Sequence, residues 1–156
     1  MHFGIRKLDL TETPPYELLL MADPSIEQIE NYLPLSEVFI AENEGEILGC
    51  YVICEIGKNQ WEIKNIAVLT EKQGFGIGRK LIEDAIVRVR GRNALKIIIR
   101  TGNSSMMQLR LYQKCGFMIS EVEKDYFVKP YPEPIFENGI QCKDRVTLMK
   151  VLKHEC

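Results

Sequence analysis

Residues 73 to 80 read QGFGIGRK, with Gly74, Gly76 and Gly78 at alternate positions between a β-forming run and an amphipathic one. A strand ending at Leu69 and a helix starting near Gly76 would present unpaired backbone N–H groups at a positive helix end, the geometry that binds a phosphate. Glycine removes the Cβ that would hold an anion away, and it permits the φ values that aim several amides at one cluster of oxygens. The helix dipole contributes only about 0.3–2 kcal/mol. Each charge-assisted amide contact adds roughly 1.5–3 kcal/mol, so the amides would carry the affinity. A Walker A loop needs Gly-Lys-Ser/Thr, but Gly78 is followed by Arg79, Lys80 and Leu81. A dinucleotide fingerprint fails too, because Arg79 stands where its third glycine belongs. The plainer alternative is a tight turn whose glycines serve packing alone.

The elements that would position this turn are legible from hydrophobic period. Residues 3 to 8 alternate as an opening strand; Thr13-Pro14-Pro15 offers a cap and a first-turn proline to a helix over YELLLMA. Ser25 to Gln28 has capping-box spacing and predicts a second short helix over 25 to 33. Alternation with turn signals at 43 to 45 and 57 to 59 predicts an antiparallel meander of strands at 37 to 42, 46 to 56 and 60 to 69. Ile77, Leu81, Ala85, Ile86 and Val89 then form one helical stripe that ends at Gly91. LKIIIR at 95 to 100 reads as a strand buried on both faces, so 60 to 100 is a βαβ unit with its two strands parallel. A helix from Ser104 or Ser105 to Lys114 and strands in FMISEVEKDYFV and DRVTLMKVL complete the chain. The expected fold is α/β (α+β): a mixed, mostly antiparallel sheet of about seven strands with one parallel βαβ unit and four helices. KPYPEPIFENGIQC, with three prolines, is too long for a hairpin turn and reads as a substrate-side loop over 129 to 142.

The chain's 156 residues, 46% of them hydrophobic, can enclose one ordinary core, so residues 1–156 are read as a single domain. Twenty Lys+Arg against 22 Asp+Glu leave a net charge of -2, which removes any general electrostatic reason to bind nucleic acid or an anionic membrane. No apolar run approaches a membrane span, and MHFGIRKLDL, charged and without a following apolar stretch, is not expected to act as a signal peptide. Five cysteines without a C-x-x-C pair fit a reducing, cytoplasmic setting. His2 and His154 sit at the chain ends, so neither a metal site nor a Ser/His or Cys/His nucleophile is expected.

Gln73-Gly74-Phe75-Gly76-Ile77-Gly78 resembles the Q/R-x-x-G-x-G/A acyl-CoA signature of the GNAT superfamily of N-acetyltransferases. IAV at 66 to 68 precedes it as in that family's fourth strand, LYQKCGF at 111 to 117 resembles its L-Y-x-K-x-G-F segment, and the element order agrees over nearly the whole chain. The resemblance implies a GNAT-like fold and acetyl-CoA as co-substrate. Backbone amides from Gln73 to Gly78 would hold the pyrophosphate, Ile66, Ala67 and Val68 would pair with the pantetheine arm like an added strand, and Arg79 and Lys80 would touch phosphates at the rim.

It also implies a division of chemistry. Glu62, 11 residues before Gln73, stands where histone-type members carry their basic glutamate; a water chain is the alternative base. On strict alternation Glu62 shares a strand face with Lys64 and Ile66 unless a bulge intervenes. Tyr112 matches the family's tyrosine general acid. The asparagine that many members carry seven residues earlier is here Ser105, with Asn103 close by as a second candidate for the pantetheine contact. A strand amide near Val68 would polarise the thioester carbonyl. Cys115 suggests a covalent relay, but direct transfer is simpler. The acceptor is expected to be a small-molecule or peptide amine held by the first two helices and the 129 to 142 connection. Glu133 and Glu137 would suit its charge, with Tyr126, Phe127, Tyr131 and Phe136 as walls. Family habit suggests a homodimer. The readings in competition are a non-catalytic acyl-CoA-binding module and a nicotinamide dinucleotide protein, the latter supported only by the glycine turn and Arg100.

Overall fold

The computed structural model describes residues 2–152, so His154 and Cys156 lie outside the described residues. In chain order the elements are β1 (Gly4–Lys7), α1 (Tyr16–Ala22), α2 (Ile26–Tyr32), β2 (Glu37–Asn43), β3 (Glu46–Gly57), β4 (Gln60–Val68), α3 (Ile77–Arg90), β5 (Lys96–Gly102), α4 (Met106–Lys114), β6 (Met118–Glu123), β7 (Ile135–Glu137), β8 (Ile140–Cys142) and β9 (Arg145–Val151). Among the described residues seven strands form one sheet in the order β1-β2-β3-β4-β5-β9-β6, in which only β4 and β5 run parallel. Among the described residues no helix is long and apolar enough to cross a membrane.

Alternation along the strands sends two apolar layers to opposite faces of the sheet. Phe39, Tyr51, Ile53, Trp61, Ile63, Ile97, Ile99 and Leu148 meet the α3 stripe of Ile77, Leu81, Ile82, Ala85 and Val89. Ile40, Cys50, Val52 and Ala67 meet Leu18 and Leu19 of α1 and Ile29 of α2. The termini of α1 and α2 differ from expectation. Both prolines precede α1, with Pro15 at its N-cap and no side-chain cap, so Thr13 takes no part. At α2 the Ser25 hydroxyl accepts the Gln28 N–H at 3.2 Å, but the Ser25 N–H is satisfied by Asp23 Oδ1 at 3.1 Å rather than by the glutamine.

The feature that opens the site lies in β4. Against β3, Asn65 pairs with Val52 but Ile63 pairs with Ile53, so Lys64 is an extra residue, a β-bulge. Parallel pairing with β5 stops at the same place: Gln60 to Ile63 match Lys96 to Ile99, after which β5 continues beside β9 as far as Gly102. A bulge bends its strand, and β4 and β5 part company there. The bulge also corrects the expected face: Glu62 keeps company with Asn65 and Ala67 on the α1–α2 side, while Ile66 turns toward α3.

The 129 to 142 connection is not an unstructured loop. Glu137-Asn138-Gly139-Ile140 closes a small β7–β8 hairpin, with Asn138 at φ 55 and Gly139 at φ 73. Positive φ at both central residues is the type I′ geometry for which Asn-Gly is favoured.

Candidate active site

A cavity of about 660 Å³ occupies the gap between β4 and α4, bounded by the glycine turn, Ile66 to Val68 and Tyr112. The Leu69 N–H bonds Leu48 O at 2.9 Å, which sets the antiparallel alternation along β4. Ala67 therefore points its peptide groups at β3, whereas those of Ile66 and Val68 point into the gap that β5 has left. Gln73 Nε2 donates to Val68 O at 3.1 Å and ties the start of the turn to this edge.

A 3-10 turn over Thr70–Lys72 ends β4, and Gly76 caps α3 without a side-chain bond. The first helical bond is Lys80 N–H to Gly76 O at 3.2 Å. Among the described residues no protein acceptor takes the amides of Gly74 through Arg79. Gly74 and Gly76 have φ of 86 and 82, and a Cβ on either would meet nothing within 4 Å. At Gly78 a Cβ would make only ordinary contacts, with Leu111 Cδ2 at 3.4 Å and Val68 Cγ2 at 3.8 Å. A packing turn would show these positions blocked by protein, and none is. Gln73, Gly74, Gly76, Ile77, Gly78 and Arg79 all line the cavity; Phe75 does not and is 60% exposed.

The cavity's charged lining is wholly cationic: Lys72, Arg79, Arg110 and Lys114. Lys72 reaches Glu46 at 3.8 Å and Arg79 reaches Glu83 at 3.0 Å, but Arg110 and Lys114 have no acidic partner among the described residues. Sequence reasoning missed these two. Their signal was a pair of cations one helical turn apart, flanking Tyr112, with no acid three or four residues away to pair with either.

Tyr112 is 4% exposed, and its hydroxyl has no hydrogen-bond partner among the described residues. Burial, with a smaller effect of the adjacent Cys115, raises the phenol well above its ordinary value, so it holds its proton as a neutral donor. Cys115 is raised by burial as well and does not line the cavity. Its thiol therefore lacks the thiolate character that a covalent relay needs.

Asn103 and Ser105 are engaged elsewhere, and Glu62 does not line this cavity. Asn103 Oδ1 accepts the Lys143 and Asp144 amides at 2.9 and 3.0 Å while its Nδ2 donates to Gln141 O at 3.1 Å, so it fastens the β8–β9 connection. Ser105 donates to Glu137 Oε1 at 2.8 Å, as does Ser104 at 3.3 Å, which anchors the hairpin and engages Glu137. Neither Asn103 nor Ser105 lines the cavity. Glu62, with its side chain 5% exposed, receives both Lys64 Nζ and Arg100 Nη1 on Oε1 at 3.0 Å; Arg100 Nε also donates to Thr147 Oγ1 at 3.2 Å.

On the α1–α2 face lies a second cavity of about 640 Å³, bounded by Ser25, Gln28, Asn31 and Tyr32, by Cys54 and Lys64, and by Pro130 and Tyr131. Tyr131 is tilted against Phe127 at 6.3 Å, and Phe127 meets Tyr126 edge-on at 5.1 Å. Phe136 is 66% exposed and Glu133 is exposed, so neither walls this cavity. Among the described residues no group of three or more His, Cys, Asp or Glu is placed to hold a metal ion.

Comparison with known proteins agrees with this geometry. Residues 34–119 match the family model described as an acetyltransferase (GNAT) domain. An uncharacterized N-acetyltransferase, YvbK, of Bacillus subtilis (strain 168) is 47% identical over 133 residues, 85% of this chain and 86% of that protein. A GNAT family acetyltransferase from Elizabethkingia anophelis, solved with acetyl-CoA bound, superposes with a TM-score of 0.92 at 45% identity, covering 96% of this chain and 98% of that one. A Bacillus subtilis acetyltransferase solved with CoA gives a TM-score of 0.92 at 43% identity, covering 97% and 100%. The divided strands, the open amide turn and these relatives lead to one conclusion: the chain belongs to the GNAT acetyltransferase family.

Proposed function

We propose that this protein transfers an acetyl group from acetyl-CoA directly to a primary amine. The observation that carries the reading is the row of backbone N–H groups from Gly74 to Arg79, without acceptors among the described residues, at one end of a cavity whose wall is the open edge of β4. Those amides suit a pyrophosphate, and Lys72, Arg79, Arg110 and Lys114 suit further phosphate charge. The Ile66 and Val68 peptide groups suit an extended amide-bearing arm by strand addition, and the Val68 N–H suits a polarised carbonyl oxygen. Bound acetyl-CoA supplies the thioester. Tyr112, kept protonated by its burial, is the donor for the departing sulfur. The binding of the two relatives solved with acetyl-CoA and CoA, at 45% and 43% identity, supports the ligand assignment.

Glu62 is the base in this proposal, with a water chain as the alternative route. Its two cationic neighbours give it a structural duty that can be separated from catalysis. Glu62→Gln would leave Lys64 and Arg100, each 29% exposed, facing one another without their shared anion. The expected loss is about 2 kcal/mol, short of a fully buried pair because both cations reach water. That corresponds to roughly 4–8 °C in Tm by thermal melt. If turnover of the folded variant keeps the wild-type pH profile, the base is a water chain and Glu62 serves the ion pairs alone.

Two measurements test the assignment. Calorimetry with acetyl-CoA, CoA and NADPH should show binding of the first two and none of the third. Thiol release across a panel of primary amines separates an enzyme from a non-catalytic binding module. No thiol release with any amine, under tight acetyl-CoA binding, would favour the module.

A further inference from the structure

Tyr112 can pass its proton to the departing sulfur only where α4 holds the hydroxyl, and side-chain packing holds α4 weakly. Among its residues only Tyr112 is buried, while Met106, Met107, Gln108, Arg110, Gln113 and Lys114 are exposed. Its ends must therefore fix it. At the C-terminal end Lys150 Nζ donates to Cys115 O at 2.8 Å, and the Phe117 N–H donates to Tyr112 O at 3.0 Å.

The N-terminal end is held from outside the helix. Ser105 is the N-cap residue, yet its hydroxyl bonds no amide of α4. It donates instead to Glu137 Oε1 at 2.8 Å, across 32 residues of chain, and the Ser104 hydroxyl donates to the same oxygen at 3.3 Å. Asn138 Nδ2 adds a bond to Ser104 O at 2.8 Å, and the β7–β8 hairpin lies so close that a Cβ on Gly102 would come within 2.5 Å of Cys142 Sγ. Among the described residues no lysine, arginine or histidine forms an ion pair with Glu137. The carboxylate is thus an anion that the hairpin supplies to a helix N-terminus, where the macrodipole favours it and where a cap side chain would ordinarily stand. The connection that carries it also walls the second cavity with Pro130 and Tyr131, whereas Tyr112 lines the first.

We infer that Glu137 is a positioning residue for the transfer step: through Ser104 and Ser105 it sets the roll and axial place of α4, and so the point at which the Tyr112 hydroxyl meets the thioester sulfur. The inference rests on the acetyl-transfer reading above and adds a residue that acts through the helix and touches neither substrate. Seven residues, about 10.5 Å of helix, separate Ser105 from Tyr112, a span too short and regular to absorb an error at its start. A displacement of about 1 Å at a reacting group can cost on the order of 10²-fold in rate. The Glu137 carboxylate is therefore committed to the helix rather than to an acceptor ammonium.

The test is a double-mutant cycle in the full chain, read by thiol release from acetyl-CoA with tyramine, spermidine, glucosamine and agmatine, by calorimetry and by hydrogen exchange. With each amine that the wild type acetylates, Glu137→Ala should lower kcat at least tenfold. The amine KM and the acetyl-CoA affinity should stay within threefold, since the amide turn belongs to β4 and α3. Glu137→Gln keeps an oxygen for both hydroxyls and should recover most of the rate. In the Tyr112→Phe background Glu137→Ala should cost less than a further twofold, because the hydroxyl it places is gone; a loss of general stability would cost the same in both backgrounds. Amides of residues 106–114 should exchange at least tenfold faster in Glu137→Ala, with those of residues 77–90 unchanged. Should Glu137→Ala not fold, Ser105→Ala carries the same cycle, with a kcat loss of at least threefold. An unchanged kcat, equal losses in the two backgrounds, a tenfold rise in amine KM at constant kcat, or unaltered exchange at residues 106–114 would each overturn the inference. No thiol release with any of the four amines, or an unchanged kcat in Tyr112→Phe, would instead bring down the acetyl-transfer reading, and this inference with it.

Discussion

Replacing Gly76 by valine should abolish acetyl-CoA binding while the chain still folds. Gly76 sits at φ 82, a left-handed conformation that costs a β-branched residue roughly 1–2 kcal/mol or more. Two outcomes are open to the variant, and both disable the turn. If the loop keeps its shape, the new side chain projects into open space beside amides that hold no protein acceptor among the described residues. If the loop relaxes to a permitted φ, those amides are re-aimed. Either way two or more charge-assisted contacts are lost, at roughly 1.5–3 kcal/mol each, so affinity should fall more than a hundredfold. The stability loss of about 2 kcal/mol is smaller than the roughly 5–15 kcal/mol that a domain commonly has in hand. Gly78→Ala is the comparison, because its Cβ would make only ordinary contacts with Leu111 and Val68, and its melting temperature should match the wild type. Calorimetry decides the matter: Gly76→Val with wild-type affinity would mean that the turn is built for the fold and not for a ligand.

Tyr112→Phe should lower kcat by about 10²–10³-fold, within the usual range for removing a general acid, while acetyl-CoA affinity stays within twofold. The substitution is clean because the hydroxyl holds no partner among the described residues, and the ring keeps its tilted contact with Phe117 at 6.4 Å. Burial disfavours the phenolate, which raises the phenol above its ordinary value; the proton is therefore present through neutral pH and is lost only as pH rises past that raised value. The wild-type rate should accordingly show no alkaline decline attributable to Tyr112 below about pH 10. Steady-state kinetics with any accepted amine gives the answer, and an unchanged kcat would return Tyr112 to the core.

Most of the fold was legible because periodicity reports burial directly. The α3 stripe, the meander and the β-branched run of β5 each reveal which side faces the core, and their limits fall within about two residues of expectation. The β7–β8 hairpin was hidden by the three prolines before it, although Asn138-Gly139 is a strong turn signal; strands of three residues are too short to show alternation. Asn103 and Ser105 were assigned a ligand contact because nothing local reveals partners more than thirty residues ahead. Arg110 and Lys114 look like ordinary solvated helix charges until the fold places them beside the amide turn. The opening between β4 and β5 depends on a single unpaired residue, and no pattern of residue types distinguished Lys64 from its neighbours.

That unpaired residue works as a change of phase within β4. Upstream of Lys64, Trp61 and Ile63 belong to the layer under α3; downstream, Ile66 and Val68 occupy that layer although their parity is reversed. Swapping the side chain at position 64 preserves this offset. Excising the residue would rotate one half of the strand by a half-turn against the other, burying Glu62 in grease or turning Ile66 and Val68 away from it. The cleft is thus governed here by a count of peptide units more than by the identity of any one of them, and a one-residue insertion or deletion at this point should disturb it far more than a substitution.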